Sequence, residues 1–96
     1  MQWPRRIDVW EFEWDDANLE HQEHGLTPLL ADEVKDRSPK FFANKPGKAG
    51  THKMVGPDTN DRFWTIVLLP TAHRGRWRPI TGWPSTGPDV QRYHST

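Results

Sequence analysis

The sequence predicts a small α+β domain in the order β-α-α-β-β-β-α, an antiparallel meander with helices packed on one face. Three observations carry that expectation. Two stretches rich in aromatic and β-branched residues read as strands, at Ile7 to Trp14 and Arg62 to Leu69. Helix-start signals fall between them. Short strands separated by turn residues then follow one another through the second half. Within the first strand, Trp10, Phe12 and Trp14 mark a period of two against Glu11 and Glu13. Asp15 or Asp16 caps a helix running to His24, with Gly25 as its stop. Thr27-Pro28 opens a second helix, the threonine as cap and the proline in the first turn. Leu30 and Val34 lie one turn apart on its buried face.

Lys40-Phe41-Phe42 is a candidate short strand outside that count, and Asn44 to Gly50 reads as a mobile loop. His52 to Val55 is a possible strand before a turn at Gly56-Pro57-Asp58. Arg62 to Leu69 ends at Pro70, and Thr71 to Gly75 is a hairpin loop. Arg76 to Thr81 returns as a strand, with Pro79 confined to an edge, a bulge or a strand end. Thr86-Gly87-Pro88-Asp89 has the spacing of a capping box and opens a last helix through Tyr93.

Residues 1–96 read as one domain with no internal repeat. Cysteine is absent, which excludes a disulfide framework and a cysteine-ligated zinc site. The longest apolar run, Ile66 to Leu69, is far too short to cross a bilayer. Met1 to Val9 lacks the apolar centre of a secretory signal, and together these features point to the cytoplasm. Six tryptophans and four phenylalanines make a packed core plausible despite the low hydrophobic fraction. The net charge of zero hides an asymmetry. Residues 1–33 hold nine acids and two bases, a net of −7, and residues 34–96 hold eleven bases and four acids, a net of +7. Either the basic half meets phosphates, or the two halves face each other in the fold.

The stretch from Phe12 to Pro28 contains an aromatic-acid-Trp-Asp strand end, an Asn-x-x-His spacing at Asn18 and His21, and a His24-Gly25 stop. It resembles the N-terminal signature of BrnT-like toxins. Arg78-Pro79-Ile80-Thr81-Gly82-Trp83-Pro84-Ser85-Thr86 resembles the last strand of that family and the start of its last helix. Arg92-Tyr93 falls where that helix often carries a basic residue and a tyrosine. The resemblance implies a RelE-type fold and a ribonuclease toxin of a type II toxin–antitoxin pair. It implies mRNA cleavage without metal or cofactor, and a cognate antitoxin of ribbon-helix-helix or helix-turn-helix type. The alternative is a degenerate toxin fold that serves as a protein-interaction or co-repressor module. Its ground is that the last helix, usually dense in lysine and arginine in such toxins, here keeps only Arg92.

RNA cleavage without metal needs a base, an acid and cations that stabilise the crowded phosphate. His21 and His24 suit the proton transfers, and with Asn18 they form one helical stripe. The same stripe can instead fasten the helix to the sheet. Arg78 is the leading phosphate clamp, because a guanidinium is planar and keeps its charge. Arg76 and Ile80 share its face by alternation, so Arg76 can assist. The other reading of Arg78 is a salt bridge to the acidic N-terminal half. Lys53 and His52 are candidate phosphate contacts, and Lys40, Lys45 and Lys48 can track RNA backbone. Trp83 can stack on a base. Arg92 and Tyr93 can reach the cleft from the last helix, although Tyr93 also suits packing and His94 fraying. His-x-x-His lacks the spacing of helical zinc pairs, so no metal site is expected.

Overall fold

The computed structural model describes residues 4–19 and 25–96. In chain order they form β1 (Glu11–Phe12), α1 (Asp16–Leu19), α2 (Pro28–Asp36), β2 (Lys40–Ala43), β3 (His52–Pro57), β4 (Phe63–Pro70), β5 (Arg76–Pro84) and α3 (Gly87–Ser95). One five-stranded sheet has the order β1-β5-β4-β3-β2. The strands β2 to β5 make the expected antiparallel meander, and β1 joins the outside of β5 in parallel, so the sheet is mixed. The chain is thus α+β.

Helix α2 begins as its sequence dictates. The Thr27 hydroxyl accepts from Leu30 N at 3.2 Å, and Pro28 sits in the first turn where its missing N–H costs nothing. Its buried face is centred on Ala31 and Val34, with Leu30 half-buried beside them. These residues pack with Leu26, Met54, Ile66, Leu68 and Trp77 on one face of the sheet. Leu26 comes so close that a Cβ on Gly82 would stand 2.6 Å from its Cδ2.

Three expectations are corrected. The stretch from Ile7 to Trp14 is mostly not strand. Arg5 bridges Phe41 at the β2 edge, and Trp10 and Glu11 both donate to Gly75 O beside β5. This segment runs from one edge of the sheet toward the other, with Ile7 and Val9 against the core, so only Glu11–Phe12 can join a ladder. Four strands, not three, follow the first helices, because Lys40–Ala43 pairs with His52–Val55. The helices do not share one face. Asp89 of α3 accepts from Thr65 Oγ1 at 2.8 Å, and Arg92 lies 5.4 Å over the Phe42 ring. Thr65 and Phe42 alternate with the Ile66 and Phe41 of the α2 face, so α3 covers the opposite side.

Two local signals act differently from their sequence reading. Thr86 stands at the N-cap of α3 but makes no side-chain cap bond, and the Asp89 carboxylate turns to the sheet rather than back to the cap. Strand β3 continues through Pro57, and the turn falls at 58–61. There Asp58 Oδ1 accepts from Asn60 N at 2.8 Å and Arg62 N at 3.0 Å. Its Oδ2 accepts from the buried Trp64 Nε1 at 2.9 Å. Burial works to raise the Asp58 pKa, but these three donors outweigh it and hold the carboxyl below its usual range. Pro79 is tolerated at a bulge, where β4 steps from Val67 to Leu68 while β5 steps from Thr81 to Pro79. No described helix is long and apolar enough to cross a membrane. The predicted helix extension to His24 lies outside the described residues.

Candidate nucleic-acid interface

The sheet face carrying α3 is only partly covered. Beyond the helix lies a cleft of about 370 Å³ between the β2–β3 loop and strands β3, β4 and β5. Lys45 and Lys48 from the loop, Lys53 from β3 and Trp83 from β5 form its walls, over Val67 and Thr81. Register explains the convergence. Lys53 stands opposite Val67, and Thr81 stands opposite Val67 from the other side, so the three share a face. Trp83, two residues on from Thr81, shares it too.

The loop that brings the other lysines is tied rather than free. Asn44 Nδ2 donates to Ala49 O at 2.8 Å, Asn44 N donates to Thr51 O at 2.9 Å, and Lys48 N donates to Lys45 O at 3.2 Å. Gly50 has φ +76°, and a Cβ there would stand 2.3 Å from Val67 Cγ1, so glycine alone lets the loop lie against the sheet. Among the described residues, none of the three lysines forms an ion pair, and the cleft lining contains no carboxylate.

The arginines of β5 stand in a different environment. Arg78 lies opposite Leu69, on the face of Val67 and Thr65. Without the bulge at Ile80, alternation from Trp83 and Thr81 would put Arg78 on the other side. The bulge returns it, and Arg76, to the face of Trp83. Ile80 is the unopposed residue there. Arg78 Nη1 and Nη2 donate to the two oxygens of Asp15 at 2.7 Å each, and Nη1 reaches Glu13 Oε1 at 3.3 Å. The Arg78 hydrogen bond holds Asp15 at a pKa of about 2, against burial, which works to raise it. Arg76 stands 3.4 Å from Glu13 and 4.0 Å from Glu11, and its buried Nε has no hydrogen bond of its own. Arg74 pairs with Asp8 at 2.9 Å. At this edge, then, the acidic and basic halves of the chain face each other.

No known family, curated protein or solved structure matches the chain.

The remaining candidates divide. Arg92 pairs with Asp89 at 3.4 Å as well as stacking on Phe42. Tyr93 donates its hydroxyl to Ser38 O at 3.1 Å, packs edge-on to Phe63 and is capped by Lys40, whose Nζ donates to Tyr93 O at 2.7 Å. These residues anchor α3 and take Lys40 away from the cleft. His94 lies in the last turn of α3, its ring 5.3 Å from that of Phe63. His52 points to the opposite face from Lys53, edge-on to Trp77 at 5.2 Å. Burial, and then Arg5, push its pKa down. Asn18 is buried, with Nδ2 donating to Glu13 O at 2.8 Å and to Pro79 O at 3.0 Å, so it fastens α1 to the sheet. His21 and His24 lie outside the described residues. Among those described, no cluster of three or more histidine or carboxylate side chains is placed to hold a metal ion.

Proposed function

We propose that this chain is an RNA-binding toxin of the BrnT-like, RelE-type class, with RNA laid across the open sheet face. The observation that carries this reading is the cleft itself. Among the described residues, three lysines without acidic partners stand around one half-buried tryptophan, whereas Arg74, Arg76, Arg78 and Arg92 are each paired with a carboxylate. Phosphate oxygens are met by such lysines, and an unpaired base stacks on an aromatic ring. Along β5 the same face leads from Trp83 to Arg78, the residue best suited to a phosphate in the cleavage step. The proton-transfer roles stay with His21 and His24 as sequence candidates. A cognate protein antitoxin belongs to the proposal, since such a toxin must be held silent.

One observation favours a second reading, a non-catalytic interaction module. Arg78 is already doubly bonded to Asp15. Induced expression in bacteria separates the two. Under the toxin reading, wild type arrests growth and degrades RNA, and Lys53→Ala and Arg78→Ala relieve both effects while remaining folded by circular dichroism. Intact RNA and normal growth under expression of folded wild type select the second reading. No RNA binding in vitro removes the first.

A further inference from the structure

The ladder of charges between the N-terminal segment and β5 does something that a stability account leaves unexplained. Glu11, Glu13 and Asp15 alternate along one side and face Arg76 and Arg78, so three carboxylates meet two guanidiniums. Asp15 takes the two forward nitrogens of Arg78 at 2.7 Å each, the two-point geometry in which a guanidinium holds a phosphate. Its side chain is 53% exposed. A pair so open to water contributes little to folding. It is nonetheless set in place with care. Asn18 Oδ1 accepts from Asp15 N at 2.7 Å, and Asn18 in turn holds Glu13 O and Pro79 O.

We infer that Asp15 is a positioning residue that occupies the Arg78 fork in place of a phosphate, so that anion binding at β5 exchanges one anion for another. The inference rests on the RNA-binding reading only for the identity of the incoming anion. The exposed rim lets Asp15 swing away without opening the core. Glu13, shared between Arg76 and Arg78, keeps Arg78 aimed while Asp15 is displaced. Arg78 is thereby straight and oriented before any substrate arrives, and weak anions are refused.

The test uses inorganic phosphate as probe and the Arg78 Nε–Hε resonance as readout. Asp15→Asn removes the competing charge while keeping the size of the side chain. In that variant, phosphate shifts the Arg78 resonance at a concentration at least about fivefold lower than in wild type, as expected when a charged partner is released. Glu13→Gln, which leaves Asp15 in place, gains less. Arg78→Ala in the Asp15→Asn background abolishes the phosphate response at this site. Equal phosphate responses in wild type and Asp15→Asn, or no response in either, overturn the inference. A short single-stranded RNA is then titrated into the same proteins. A gain for phosphate without a gain for RNA supports the anion exchange and overturns RNA binding at Arg78.

Discussion

Asp58→Ala is expected to destabilise the fold by roughly 2–6 kcal/mol, from three hydrogen bonds of unequal weight. Trp64 is only 2% exposed, so its indole N–H finds no water when Asp58 Oδ2 is removed. An orphaned buried donor costs about 1–3 kcal/mol. The backbone amides of Asn60 and Arg62 belong to exposed residues and can turn to solvent, so each loses only about 0.5–1.5 kcal/mol. A domain of this size has a stability of only about 5–15 kcal/mol, so the change is large. Urea unfolding followed by tryptophan fluorescence reads it as a lower midpoint at an unchanged slope. Asp58→Asn keeps an acceptor for the turn but sets an amide or a single oxygen against the indole, and falls between. A loss below about 1 kcal/mol for Asp58→Ala would refute the argument that Trp64 depends on this carboxylate.

Gly82→Ala should cost about 1–3 kcal/mol, since the new methyl meets Leu26 at 2.6 Å and the immobile Thr65 O at 3.2 Å. Thermal melting checks it, and a neutral result would mean that Leu26 has room to move. The folded-state pKa values of Asp15 and Asp58 are both depressed, so each stabilises the fold above its unfolded value and loses that contribution as pH falls. For Asp15 the loss runs from the ordinary carboxylate pKa down to about 2. Denaturant midpoints taken across that range should therefore fall with acid, mostly through Asp58, and Asp15→Asn should flatten the fall only slightly because its pair is exposed and screened.

The meander and α2 were legible because their signals are local. Thr27-Pro28 caps a helix whatever surrounds it, and Arg62 to Leu69 is too rich in branched and aromatic residues to be anything but strand. The segment around Ile7 has the pattern of a strand but is mostly not one, because its alternation of apolar residues serves core packing across the sheet rather than a ladder. The side on which α3 packs depends on the parity of Thr65 and Phe42 in a register that no single segment specifies. The site was legible residue by residue and not as a set. The sequence offers Lys45, Lys48, Lys53 and Trp83 as separate candidates, and only the register of β3, β4 and β5 and the loop tied by Asn44 bring them together. The charge asymmetry allowed for Arg78 either a phosphate or a salt bridge to the N-terminal half. The bulge at Ile80 decides which carboxylates it meets, and a bulge has no firm sequence signature.

The central claim is that the lysine–tryptophan cleft binds single-stranded RNA, and the salt dependence of that binding tests it most directly. If Lys45, Lys48 and Lys53 each neutralise one phosphate, the logarithmic salt slope is about −2, and affinity falls roughly 20-fold between 50 and 200 mM salt. Lys45, Lys48 and Lys53 replaced together by alanine should lose most of that slope, while Trp83→Ala should weaken binding at every salt concentration without changing it. An affinity that ignores salt in wild type, or a triple variant that binds and responds to salt as wild type does, would contradict the account.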